Sequence, residues 1–424
     1  MDSRSRLERC PLGWGAPPSK EWVDALGRGR PMFLLRYDMH SGLANSAALE
    51  LAGIDSRTQD PPGGRIVRDP ATGQPTGRLL ERAMELVTRC IPPPSLPGKA
   101  KLLSKALERA VELGLTSLQD LVWDIEDLKV HREVFSRDGC RPRVFLRTPI
   151  QQLAEYLEAR RDPWPSGMVL QGVKGFLDGS LGSRSAWLRE PYLDSPNDRG
   201  VSWISDPREF SGMVMMAARE EVGVSLHAIG DAAIGMALGM YWECIERGLG
   251  HAPLRIEHFQ HPSPEDIERM DHPRLVASMQ PLHMRFDAAA TEERLGPDRA
   301  KHSFPIRSLM ELRCNLVFGS DWSVADLNPL LGIHAAVSRL DAQGRWPNGW
   351  VPEQRIGVVE AIHAYTASAA SSVGMGKSSG HLAPGKTADL TVLDRDITRC
   401  HPGEIPKARV LMTVVGGRIL YHGS

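Results

Sequence analysis

The chain has 424 residues, 42% of them hydrophobic, with 51 basic and 52 acidic side chains and a formal charge of −1. That length allows more than one average domain and a large core, and the near-neutral balance excludes an electrostatic argument for nucleic acid or an anionic membrane surface. Six scattered cysteines without a CxxC pair, no apolar run of the ~18 residues a membrane span needs, and a polar start lead to an expectation of reduced thiols and a cytoplasmic location.

The first ninety residues are rich in Gly and Pro. They hold one strand-like run, residues 31–38, and a short helix signal over 45–54, which Asn45 or Ser46 can cap and Gly53 can stop. A proline-dense stretch, 91–98, reads as a linker. Residues 99–114 form an amphipathic helix with Leu103, Leu107, Ala110 and Val111 on one face.

Seven strand-like runs follow, at 115–120, 143–148, 172–178, 222–231, 254–260, 274–280 and 315–322, most of them separated by a helix-length segment. Strands alternating with helices imply a parallel sheet. The number of units points to a TIM-type (β/α)8 barrel, one strand short, and the absence of GxGxxG weighs against a dinucleotide fold. Residues 358–374 read as the last barrel helix. The runs 380–394 and 408–423 read as β-strands that need a partner sheet. The chain thus divides at 1–97, 98–378 and 379–424.

In such a barrel, chemistry sits at the C-terminal strand ends. The runs bring Lys174, His227, His258 and Asp321 to those ends, the pieces of a site for a divalent cation. Each also has an ordinary reading. A lone strand histidine is more often a hydrogen-bonded core residue, and a lone lysine snorkels to water or pairs with an acid. Asp231 suits a helix cap, Asp178 a turn, and His251, His261 and His272 solvated loops. The conjunction of four polar strand ends favours the metal reading.

The segments "VKGFLDGSLGSRSA", "HAIGDAA", "RIEHFQ", "FGSDWSVADLNPL" and "IHAYTASAA", with "GHLAPGKTADLTVLDRD" after them, resemble the amidohydrolase superfamily, in its family 3 branch that includes N-substituted formamide deformylase. "FLLRYDMHSGLANSAALELAGI" and "GGRIVRDPATGQPTGRLLE" are similar to the segment this branch inserts after its first barrel strand. The resemblance implies a metal-dependent hydrolase of non-peptide carbon–nitrogen bonds, acting on a small molecule through one or two divalent ions, zinc by preference.

The resemblance implies that Lys174 is a carboxylated, metal-bridging lysine. His227 and His258 would be metal ligands, and Asp321 would be both ligand and general base. His40, Arg184 and His283 would face the substrate. The C-terminal strands would be part of a small β-sandwich. The family's first strand carries a His-x-His pair, and no His-x-His occurs in this chain. The resemblance places Met1 inside the inserted segment, so the first strand and half the sandwich are expected to be missing and one metal site impaired. Three functions follow as expectations: an active amidohydrolase, a truncated pseudoenzyme of little activity, or a non-catalytic binding barrel. A homodimer would cover an exposed sheet edge.

Overall fold

The computed structural model describes residues 18–137, 139 and 141–423. The first ninety described positions hold more sheet than the sequence suggests. β1 (Phe33–Leu35), β2 (Ser41–Ala44), β3 (Gly64–Arg68) and β4 (Pro75–Glu81) form an antiparallel sheet in the order β1-β2-β4-β3. Only the first lies in the run read as a strand. β2 to β4 are short and interrupted by glycine and arginine, so they carry little strand propensity of their own. Packing of Ala44, Leu49, Ile66 and Leu79 into one small core selects them. Asn45 caps the helix Ser46–Leu51, its Oδ1 accepting from Ala48 N at 2.9 Å.

The proline-dense stretch is irregular over residues 91–95 and then starts a helix. Ser95 caps a helix over Leu96–Glu112 with Pro97 in its first turn, where a missing N–H costs nothing. Seven parallel strands follow, one from each predicted run: β5 (Ser117–Leu121), β6 (Arg143–Pro149), β7 (Met168–Phe176), β8 (Gly223–Ala228), β9 (Leu254–His258), β10 (Leu275–Met279) and β11 (Asn315–Phe318). They pair consecutively from β5 to β11. Their outward residues pack under the helices, as Val173, Val224, Leu226 and Ile256 do, all fully buried. Among the described residues, β5 and β11 have no strand on their outer sides.

The sheet nonetheless curls. Arg255 on β9 reaches across the interior to Gln119 on β5, Nη1 to Oε1 at 2.6 Å. Between the two free edges lies a cavity of about 590 Å³, bordered by Gln119, Phe145, Leu330, Ile333 and Tyr365. The sequence count of seven and the sheet agree, and the fold is that of a (β/α)8-type barrel with seven strands among the described residues.

Residues 358–374 are two helices rather than one, Val358–Tyr365 and Ala367–Ser372, broken at Thr366. β12 (Leu390–Leu393), β13 (Val410–Val415) and β14 (Arg418–His422) form a three-stranded antiparallel sheet. It rests against the helix Leu96–Glu112. Thr413 Oγ1 donates to Val111 O at 2.7 Å, and Thr391 Oγ1 donates to Gly114 O at 2.6 Å. Cys90, Cys244, Cys314 and Cys400 are free thiols. The other two cysteines, Cys10 and Cys140, lie outside the described residues. No helix of the described residues is long and apolar enough to cross a membrane.

Candidate metal centre

The inward-facing residues of β7, β8 and β9 form layers, because paired residues of parallel strands project to the same side. Lys174 pairs with Ser225, and Ser225 with Arg255; Phe176 pairs with His227, and His227 with Glu257. A knot of charge joins the two layers. Glu257 Oε1 lies 2.8 Å from Arg255 Nε, and Arg147 is buried beside them. Burial opposes the Glu257 carboxylate, but Arg255, Lys174 and Arg147 outweigh it and hold the carboxyl well below its usual range. The Lys174 amine is pulled below its usual range, chiefly by burial; Glu257 and Asp321 oppose this, and Arg255 and Arg147 reinforce it.

Beside that knot four imidazoles stand in a row. The ring of His227 lies 5.0 Å from that of His40 and 4.5 Å from that of His258, and His258 lies 6.1 Å from His283. His258 follows the inward-facing Glu257, so strand alternation alone would turn it toward the helices. Its φ of +79° ends the strand and brings the ring round to His227. Asp321 has φ +54°, also in the left-handed region. Such backbone costs about 1–3 kcal/mol per residue and gathers at functional sites.

Ligand atoms of His258, His283 and Asp321 lie within 4.8 Å of one another. His258 Nδ1 is engaged by Gln280 Oε1 at 2.8 Å, which leaves Nε2 for a ligand. Burial pulls the His258 pKa down to about 4, so the ring is neutral and carries a lone pair at neutral pH. His283 Nε2 is buried with no hydrogen-bond partner among the described residues and lies 3.8 Å from Asp321 Oδ2. Burial raises the Asp321 pKa, but His258, His283 and Lys174 together hold it below the usual carboxylate value. An orphaned imidazole nitrogen beside a second imidazole and an ionised carboxylate is a donor set that fits a borderline divalent cation.

The predicted residues fall into four groups. His258 and Asp321 meet as expected, and His283, expected on the substrate side, joins them. Lys174 and His227 stand next to this cluster; Lys174 Nζ sits 5.0 Å from the centroid of the Phe176 ring. His40 comes from the N-terminal sheet and lines the same small cavity, about 40 Å³, as His258, His283 and Asp321. Arg184 does not line it; its guanidinium pairs with Asp194.

One ordinary reading is overturned and another falls short. Asp178 does more than shape a turn. It is fully buried, and its carboxylate accepts from Trp187 N at 2.9 Å, Ile229 N at 3.0 Å and Gly230 N at 2.8 Å. Burial pushes its pKa up to about 8 despite these donors. His261 is not solvated. It is buried, with Nδ1 2.8 Å from Ser303 Oγ, and burial pulls its pKa down to about 3. Asp231 sits in the first turn of the helix Asp231–Glu246, and its Oδ1 accepts from Arg189 N at 2.9 Å.

Three residues beside the site carry no signal in the sequence. Glu81 holds His40, Nδ1 to Oε2 at 2.8 Å, and Trp203 Nε1 donates to the same oxygen at 3.2 Å. Trp123, with Trp203, sandwiches Phe176 beside His227. All come from distant segments, and nothing in their local sequence ties them to the mouth.

A curled parallel sheet with imidazoles and a carboxylate at its C-terminal ends is the layout of a barrel hydrolase. The amidohydrolase family model matches residues 9–421, and this chain belongs to that family. The chain is similar to Protein LONG AFTER FAR-RED 3 of Arabidopsis thaliana, with 37% identity over 96% of this chain and 72% of that one. It is similar to N-substituted formamide deformylase of Arthrobacter pascens, with 26% identity over 96% and 76%. Among solved structures, an uncharacterized metal-dependent hydrolase from Pyrococcus horikoshii superposes with a TM-score of 0.73 at 26% identity, over 92% of this chain and 76% of that one.

Proposed function

We propose that this protein hydrolyses a non-peptide amide bond of a small molecule with the help of a divalent metal ion, zinc being the ion that two imidazoles and a carboxylate suit. The observation that carries the reading is the convergence of His258, His283 and Asp321 ligand atoms within 4.8 Å at the barrel mouth. The family supports it, as does the deformylase relative.

His258, His283 and Asp321 would hold the ion, with His227 and Lys174 adjoining it. When bound, such an ion lowers the pKa of water from ~15.7 toward ~7 and polarises a carbonyl oxygen. The chain's own residues supply the rest. Asp321, kept ionised, takes the proton of the attacking water and returns it to the departing nitrogen. His40, held through Nδ1 by Glu81, presents its other ring nitrogen to the cavity, where it can donate to a developing oxyanion. The depressed Lys174 amine, when neutral, can add carbon dioxide and release a proton, becoming a carbamate that offers oxygen ligands in place of a cation. Four free thiols among the described residues suit a reducing cytoplasm.

The experiment is elemental analysis of the purified chain, as isolated and after zinc dialysis, with release of formate from N-substituted formamides as the activity readout. Wild type should hold about one ion, and a His258→Ala/His283→Ala double variant much less. Equal metal content in the two proteins would remove the basis for the assignment.

A further inference from the structure

The cavity at the metal centre is small, about 40 Å³, and has room for little more than a reacting group. It opens beside a recess of about 210 Å³. Tyr37, Phe286, Val324 and Ala325 line both, so a single molecule with its amide over Asp321 would place its remainder in the recess. The walls of that recess therefore bear on substrate choice.

Those walls carry three guanidinium groups, Arg36, Arg294 and Arg345, against one carboxylate, Glu293. Arg36 is paired with Asp38 and Arg345 with Asp341, and Glu293 acts electrostatically on Arg184. Arg294 is different. It is 4% exposed, its Nη1 donates to Leu181 O, and its Nε is buried with no hydrogen-bond partner. Among the described residues it forms no ion pair. Asp194, which attracts it, is already paired with Arg184. Burial, with repulsion from Arg184 and Arg36, brings its pKa down to about 10. A buried cation without a counter-ion is costly unless something supplies the missing charge, and arginine's planar fork matches a carboxylate.

We propose that the recess beside the metal centre is a subsite for an anionic group, with Arg294 as its principal donor, so that the substrate is an amide bearing a carboxylate a few bonds from the scissile carbon–nitrogen bond. The proposal rests on the amide-hydrolase reading for the position of the reacting group, but the recess is defined by its own residues. Phe286, Val324 and Ala325 would cover the carbon chain between the two ends. Arg345, at the rim, would attract the anion on entry.

Titration calorimetry of the zinc-loaded full chain tests this, with ω-formamido carboxylates of increasing chain length and the matching neutral primary amides. The carboxylate of best length should bind about ten-fold or more tightly than its neutral partner, the range of a hydrogen bond to a charged group. The preference should weaken with salt, vanish in Arg294→Met and survive in part in Arg294→Lys. Circular dichroism shows whether these variants fold, and the wild-type comparison stands without them. Equal affinity of the charged and neutral ligands, or no binding of any carboxylate at millimolar concentration, overturns the subsite. Asp321→Asn separates the two readings. A variant that turns over as fast as wild type while the carboxylate preference persists would end the catalytic assignment and leave the subsite standing.

Discussion

His40 Nδ1 lies 2.8 Å from Oε2 of Glu81, a carboxylate whose side chain has no exposure at all. Glu81 also donates its backbone N–H to His40 O at 3.0 Å, so residue and partner hold each other twice. Burial opposes a charge on His40, but Glu81 outweighs it and raises the pKa to about 9. The folded pKa exceeds the ~6.5 of an unfolded histidine. The pair's stabilisation is therefore complete below pH ~6.5 and lost as pH rises through about 9. Thermal midpoints of wild type should fall across that window, by the equivalent of roughly 3 kcal/mol at most. In Glu81→Gln the slope should largely disappear. A variant with the wild-type slope would show that another group causes it.

The same pair depends on a glycine. A Cβ at Gly179 would stand 1.9 Å from Glu81 Oε1 and 2.4 Å from Ser185 Oγ. Gly179→Ala should displace the carboxylate and flatten the alkaline slope as Glu81→Gln does, while leaving both Glu81 and His40 in the sequence. An unchanged pH profile of the melting midpoint would contradict this.

His261 predicts the opposite limb. Its folded pKa, about 3, lies below the unfolded ~6.5, chiefly through burial and secondarily through Arg299. The unfolded chain therefore binds the proton first, and stability is lost as pH falls from ~6.5 toward 3. His261→Gln should keep a donor or acceptor for Ser303 and shift the acid-unfolding midpoint to lower pH. Acid titration followed by circular dichroism reads this directly.

Asp178 serves three backbone N–H groups at once, two of them at the start of the helix Asp231–Glu246 and one in the loop after β7. Asp178→Ala leaves buried donors unpaired, each costing about 1–3 kcal/mol. A loss of about 3 kcal/mol or more in urea unfolding is expected, with Asp178→Asn recovering part of it. A loss below about 1 kcal/mol would mean that water replaces the carboxylate.

Asp321→Asn should reduce formamide hydrolysis by about 10²–10⁴-fold, the range of a positioned acid–base group, with little change in the melting midpoint. Asparagine matches aspartate in size, so the change leaves no packing defect. Full turnover in this variant would exclude it as the base.

Much of this molecule was legible before any coordinates. All seven parallel strands lie where apolar runs alternate with helix-length segments, because strands buried on both faces, as β8 to β10 are, read as short apolar runs. The strand-end residues Lys174, His227, His258 and Asp321 could be picked out for the same reason, since each interrupts an apolar run. Local information failed where a feature depends on distant partners. β2 to β4 were missed because their weak strand patterns become sheet only when paired. His261 was misjudged because a polar residue in a loop reads as solvated until something is packed over it.

The order of the strands, the parity of the inward layers and the types of residue at their ends were settled by the sequence, because they follow from local pattern and covalent order. Which of those residues meet was decided only by tertiary structure. By alternation His258 belongs to the helix side, and a positive φ at the strand end turns it to His227 and toward Asp321. Arg294 reads as one of many helix arginines until the fold buries it beside the mouth with no counter-ion among the described residues. Side-chain convergence is set by sheet curvature and by strained strand ends, and neither is a property of any short stretch of chain.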